Sequence, residues 1–253
     1  MIDGHCHLDK RLGTSFNAVQ TLYGEAMRVG VKGIILLNLP EEGFFNEKVI
    51  EEAKHFDGFF RVFPLLNPKE SGVLENINRL KNLGASGVKL HPRIHGYRID
   101  CEECAALVCR AGELGLPVMM DGFPDGKNIA IGNLPESFAR LAEKVPSARI
   151  AIGHAGGHRL LDALMVAKYF KNLYLDLSYT LLYYRNASIS SDIAYAIKSI
   201  RGERIFWGSD YPDRPYSETV SLSLAEFKKM NLAKAHLLPV MENNARQFLG
   251  ESV

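Results

Sequence analysis

The chain is short of most features that would narrow its role at once. Its 253 residues hold only four cysteines, Cys6, Cys101, Cys104 and Cys109. Their spacing is not that of a disulfide framework, which fits a reducing compartment. Cys101 and Cys104 make a C-x-x-C at the start of an expected helix, but nothing nearby completes a four-ligand zinc site. They are read as packing or surface thiols. Neither sign of charge is in excess: 30 Lys and Arg stand against 29 Asp and Glu, a formal +1. With no basic block to follow a phosphate backbone, nucleic acid is not an expected partner. No apolar run approaches the roughly 18 residues of a membrane span, so no membrane partner is expected either. The opening Met1-Ile2-Asp3-Gly4-His5 has no basic or apolar leader region, so a cytoplasmic protein without a secretory signal is expected. No Ser/Gly-rich linker or shift in composition divides the chain, which reads as one domain over 1–253.

What is present is ordinary globular composition, 47% hydrophobic and 23% charged. A chain of this length buries a sizeable core without disulfides or a structural metal, so any metal serves chemistry rather than folding. Short apolar runs alternate with helical patterns. The strand-like runs are Ile2 to His7, Gly33 to Leu39, Phe59 to Leu66, Gly87 to His91, Pro117 to Asp121, Arg149 to His154, Leu173 to Ser178 and Arg204 to Ser209. Several are nearly continuous Val, Ile, Leu and Phe, as in strands covered on both faces. Helices are expected over Thr14–Val29, Asn46–His55, Val73–Leu83, Asp100–Leu114, Glu136–Lys144, Arg159–Phe170, Ser190–Ile200 and Ser217–Lys229. Asp100 with Glu103 reads as a capping box. An extra helix over His236–Phe248 closes the chain. The alternation predicts an α/β fold, a (β/α)₈ barrel, in preference to an open sheet. Polar, ligand-type residues recur at the C-terminal ends of the strands, where barrels build their active sites.

Those residues are few. His5 and His7 share one face of the first strand, which suits a divalent metal better than a core, although two satisfied histidines at a strand end are the plain alternative. The eighth strand ends Gly208-Ser209-Asp210, and closure of a barrel brings Asp210 beside the two histidines. There it can bind metal and take a proton from water, or merely cap the next loop. The sixth strand delivers His154 before Ala155-Gly156-Gly157; the residue can bind metal, hydrogen-bond an attacking water, or cap the strand. The glycines lack dinucleotide-loop spacing. On the fourth strand Lys89 and His91 share a face, with Arg93, His95 and Arg98 following. A salt-bridged lysine or an anion contact is preferred there to a carbamylated lysine. Arg93 suits a carboxylate, so Lys89, His91 and Arg93 are the candidate contacts to a small anionic substrate.

Together, Asp3-Gly4-His5-Cys6-His7, Gly87-Val88-Lys89-Leu90-His91-Pro92, Ile152-Gly153-His154-Ala155-Gly156-Gly157, Gly208-Ser209-Asp210-Tyr211-Pro212 and the tail Met241-Glu242-Asn243-Asn244-Ala245-Arg246 resemble the amidohydrolase superfamily, in its amidohydrolase-related (type 2) branch. The resemblance implies a barrel with one or two divalent ions, zinc first and manganese second, activating water against an amide, ester or lactone. It implies that His5 and His7 are metal ligands, Asp210 a ligand and proton acceptor, and His154 a ligand or water-positioning group. The same branch holds decarboxylases and hydratases, so the fold does not fix the reaction. One departure stands out. Where the family usually ends its fifth strand in histidine, this chain has Asp121. It can serve as an oxygen ligand, or it marks a metal-free lactone hydrolase. A silent barrel that only binds a small molecule is the remaining alternative, and the sequence leaves room for a homodimer.

Overall fold

In a computed structural model that describes residues 1–40 and 43–252, the apolar runs form parallel strands in chain order. They are β1 (Asp3–Cys6), β2 (Ile34–Leu37), β3 (Phe60–Phe63), β4 (Leu65–Leu66), β5 (Val88–Leu90), β6 (Val118–Asp121), β7 (Ile150–Gly153), β8 (Leu173–Asp176) and β9 (Ile205–Phe206). β3 and β4 are one barrel strand interrupted at Pro64, which has no N–H to give. Its carbonyl still accepts from Lys89 N at 2.9 Å. Pairing runs β1-β2-β3 and then β4 through β9. The ring closes where Gly4 N donates to Trp207 O (2.9 Å), Asp210 N to His5 O (2.8 Å) and His7 N to Tyr211 O (2.8 Å). The chain is therefore a TIM barrel, with helices on the outside.

The strand period sorts side chains into two layers. Outward residues such as Leu36, Val62, Val88, Leu90, Val118, Ile150 and Leu175 pack under the helices. Inward residues Ile35, Leu37, Phe63, Met119, Ala151, Tyr174 and Phe206 make a second, smaller core in the lumen. Its floor is closed by Phe248 of the last helix, α13 (Asn244–Leu249), whose ring lies 5.2 to 6.2 Å from those of Tyr174, Phe206 and Phe63. Above this floor the same inward rows continue as Lys89, Asp121 and Asp176, so the barrel has an apolar bottom and a polar mouth.

β1 needs one irregularity to join in. Asp3 pairs with Ile34 but Cys6 with Leu36, three steps against two. The extra residue is a β-bulge. It lets Asp3 and Cys6 both face outward while His5 and His7 face the lumen.

Two helical expectations are corrected. The helix predicted from Asp100 begins at Glu102, with Cys101 at the N-cap and no side-chain cap bond. Asp100 is engaged instead by Arg98 and Arg140. The closing helix is broken, with Lys234–Leu238 and α13 separated by a wider-wound segment, Pro239–Asn243. Among the described residues no helix is long and apolar enough to cross a membrane.

Candidate active site at the mouth of the barrel

His5, His7, Asp121, His154 and Asp210 issue from β1, β6, β7 and the segment after β9, and all reach the mouth. What they do there depends on which imidazole nitrogen is occupied. His5 Nδ1 lies 2.5 Å from Asp176 Oδ2. His7 Nδ1 lies 2.7 Å from the Leu37 carbonyl. His154 Nδ1 lies 3.2 Å from the Ser178 carbonyl and 3.1 Å from Ser178 Oγ. Ser178 Oγ in turn donates to Asp176 Oδ2 at 2.7 Å. A carboxylate or carbonyl only accepts, so each Nδ1 carries a proton, and in the neutral imidazole Nε2 is then left as a lone pair.

Those lone pairs converge. His5 Nε2 is 3.2 Å from His7 Nε2, and Asp210 Oδ1 is 3.3 Å from the first and 3.5 Å from the second. The His154 ring centroid is 4.9 Å from that of His5. With the imidazoles neutral these are three acceptor atoms, which repel unless a proton or a metal cation joins them. Burial shows the approach: the His5 side chain is sealed, while those of His7 and Asp210 remain 13% and 15% exposed, so the open side faces solvent.

Among the described residues two groups of donor atoms lie within 4.8 Å of one another and suit a metal: His5, His7 and Asp210, and His5, His154 and Asp176. The first fits better, because Asp176 already accepts from His5 Nδ1, Ser178 Oγ and, at 2.9 Å, Ser178 N. Asp121 belongs to neither group. Its Oδ2 accepts from Asn128 Nδ2 at 3.0 Å, with Arg93 Nε at 3.5 Å and His91 Nδ1 at 3.7 Å. Its Oδ1 is buried without a hydrogen-bond donor and faces His154 Nε2 at 3.6 Å.

The electrostatics follow from these neighbours. Burial works to raise the Asp210 carboxyl, but with no ion at the site His154, His7 and His5, where they carry a second proton, outweigh it and hold it far below the usual range. Burial likewise opposes ionisation of Asp121, and the cations Arg93 and Lys89, joined by His91 and His154 where protonated, prevail. His91 is pushed down to about 3 by burial, and by Lys89 and Arg93, against Asp121. Lys89 is buried and lowered by desolvation, against the pull of Asp121, Asp176 and Asp210.

Of the expected substrate contacts, Lys89 and His91 stand at the mouth. Arg93 does too, but its guanidinium is shared between Asp121 and Asp125 (3.0 Å). Arg98 is engaged by Asp100 and the Ile131 carbonyl.

The backbone is shaped for the same purpose. His154, Tyr179 and Asp210 all adopt positive φ, near 57°. Such conformations are costly in bulky residues and gather at functional sites. Gly208 leaves room for His5, since a Cβ there would lie 2.6 Å from His5 Cβ. Asp3 ties the two strand ends together: it accepts from His5 N (3.1 Å), Ser209 N (2.9 Å) and the Tyr216 hydroxyl (2.9 Å).

Sequence reasoning missed Asp3, Asn128, Asp176 and Ser178. Asp176 and Ser178 had a signal, two polar residues at period two in an otherwise apolar strand. Asn128 had none, lying in a loop helix.

A family model described as amidohydrolase matches residues 2–250. No sequence among curated proteins matches the chain. Among solved structures, an uncharacterised TIM-barrel protein from Bordetella bronchiseptica superposes with a TM-score of 0.78 at 21% identity, over 95% of this chain and 88% of that one. An amidohydrolase from Burkholderia multivorans gives 0.71 at 14% identity, over 99% of both chains. The 2,6-dihydroxybenzoate decarboxylase from Rhizobium gives 0.62 at 16% identity, over 98% and 97%. At these identities the likeness is one of fold.

Proposed function

The chain belongs to the amidohydrolase family, and from that premise we propose that it is a metal-dependent hydrolase of an amide, ester or lactone bond in a small anionic substrate. The observation that carries this reading is the spacing of three lone pairs. His5 Nε2, His7 Nε2 and Asp210 Oδ1 are 3.2, 3.3 and 3.5 Å apart. Donors about 2.0–2.1 Å from a tetrahedral zinc are about 3.3–3.4 Å from each other, so these atoms match one face of that polyhedron. Asp121 Oδ1, the acceptor left without a donor, would offer a further oxygen from the His154 side, and a carboxylate there makes manganese the second choice. A divalent ion held here supplies Lewis acidity, lowering the pKa of water and polarising a carbonyl.

The remaining work falls to the chain's own groups. Asp176 keeps the proton of His5 on Nδ1, and Leu37 O does so for His7, so both Nε2 atoms stay available. Asp210 is ionised at neutral pH and accepts the proton that the attacking water loses. His154 Nε2 accepts a hydrogen bond from that water and turns it towards the carbonyl carbon. Lys89, the buried cation among these acceptors, donates towards the carbonyl oxygen as it gains charge. The part of the Arg93 guanidinium left by its two aspartates pairs with a substrate carboxylate. The water oxygen bonds to the carbonyl carbon, the bond to the leaving group breaks, and the proton held by Asp210 passes to the departing oxygen or nitrogen, giving an acid and an alcohol or amine, or one hydroxy acid from a lactone.

Incubation of zinc- or manganese-loaded enzyme with a panel of lactones, esters and amides bearing a carboxylate tests this. One new acid per bond cleaved, without CO₂, is the expected result. Stoichiometric CO₂ release from any of them, with no new acid, would replace hydrolysis by decarboxylation.

A further inference from the structure

We propose that Phe123, Tyr179 and His154 form a three-walled corner that receives a flat, unsaturated ring of the substrate. The proposal rests on the hydrolase reading only for where the reacting bond lies. The three ring planes are close to mutually perpendicular. Phe123 stands at 85° to Tyr179 with centroids 5.2 Å apart, and at 85° to His154 at 5.9 Å. His154 and Tyr179 meet at 70° and 5.9 Å.

A second layer repeats the pattern behind the first. Tyr183 stacks on Tyr179 at 4.8 Å and 22°, and Tyr184 lies within 28° of the Phe123 plane. Tyr183 and Tyr184 are themselves at 85°. The front rings are thereby held in orientation. Both spring from strands that supply site carboxylates, Phe123 two residues after Asp121 and Tyr179 three after Asp176. Gly157 permits the close packing behind Phe123, because a Cβ there would lie 2.6 Å from Pro124 Cδ. These rings are not sealed in a core: Phe123 and Tyr179 are partly exposed and Tyr183 is exposed.

Aromatic rings favour stacked or edge-to-face neighbours. A planar ring laid along one wall meets the other two edge-on, so all three contacts take a favoured geometry. A puckered, saturated ring of the same size gains buried area but not these contacts. One wall is His154 itself, so a ring in the corner lies against a residue of the reacting site.

The test compares benzoate with cyclohexanecarboxylate by calorimetry on metal-loaded protein whose metal content is measured in the same sample. The two probes share the carboxylate, so the ratio of affinities isolates the ring. Wild type is expected to prefer benzoate by about tenfold, the sum of two or three aromatic contacts. Phe123→Leu and Tyr179→Leu should bring the ratio close to one, and Tyr179→Phe should keep it. A wild-type ratio near one, or no binding of either probe by the loaded protein, overturns the corner. So does a preference that survives in a leucine variant of normal melting temperature. Should a leucine variant not fold, the wild-type ratio decides. Protein that takes up no metal yet prefers benzoate would end the metal-dependent reading and leave the corner standing.

Discussion

At the scale of single residues, the site depends on where three histidines keep their protons. Asp176 is the residue that arranges two of them, accepting from His5 Nδ1 directly and from His154 through Ser178. Asp176→Asn offers an amide where a carboxylate stood and weakens the hold on that tautomer. Affinity for zinc, read by competition with a chromogenic chelator, should fall roughly 10–100-fold, as for other carboxylates behind a metal-bound histidine. Unchanged affinity would remove Asp176 from the support of His5. Asp210→Asn keeps the shape but loses the base, and turnover should drop by roughly 10²-fold or more with an unaltered melting temperature. Near-normal turnover would show that the proton goes elsewhere. Asp3 gives a prediction in pH. Burial raises its carboxyl from 3.8 to about 6, the donors Ser209, His5 and Tyr216 offsetting only part of that. A folded-state pKa above the unfolded one means the folded protein binds the proton more tightly. This contribution is complete below pH 4 and is lost as pH rises through 6, amounting to about 3 kcal/mol. The stability of Asp3→Asn relative to wild type should therefore improve between pH 4 and 7, and parallel profiles would contradict the assignment. That His5, His7, His154 and Asp210 meet at the mouth was legible, because the C-terminal ends of the strands share one face of a barrel. Asp176 was not read, because a carboxylate set back inside a strand passes for a satisfied core group until its partners are seen.

At the scale of elements, the eight apolar runs were legible from their alternation with helical patterns, and the departures each have a local cause. Pro64 interrupts a strand because it lacks a donor, and Pro239 opens a wider turn in the closing helix. The bulge in β1 left no trace in the sequence, since only the pairing of Asp3 and Cys6 with β2 reveals it. It nonetheless decides that Ile2 packs in the lumen floor while His5 and His7 look into the mouth. Asp100 failed as a cap because Arg98, its near neighbour in sequence, and Arg140, brought in from another helix, both hold its carboxylate. The last helix plugs the lumen with Phe248, which is fully buried among Phe63, Tyr174 and Phe206. Phe248→Ala should cost roughly 3–5 kcal/mol in urea unfolding, the usual loss for a buried phenylalanine. A loss below about 1 kcal/mol would mean that the floor collapses onto the gap and that the helix is not its plug. The aromatic corner had no sequence signal, because Phe123 and Tyr179 lie in loops that have no period to read.

At the scale of the whole molecule, the barrel separates its two tasks along its axis. Stability resides in the lumen floor and the outer helix layer, and chemistry in a mouth where acceptors outnumber donors. Asp121, Asp125 and Asp210 gather carboxylates there, with Asp176 behind them, its own ionisation opposed by burial, and Lys89 and Arg93 facing them. A divalent cation would offset that crowding. The fold is shared by an amidohydrolase and a decarboxylase alike, so the barrel by itself does not identify the chemistry. The most direct measurement is elemental analysis of purified protein after exposure to excess zinc or manganese and removal of loose ions. One tightly held ion per chain is expected, lost in both His5→Ala and His7→Ala at unchanged fold by circular dichroism. Wild-type protein that stays metal-free under those conditions and still hydrolyses a lactone would contradict the metal-dependent mechanism and leave Asp210 or Asp121 to activate water directly.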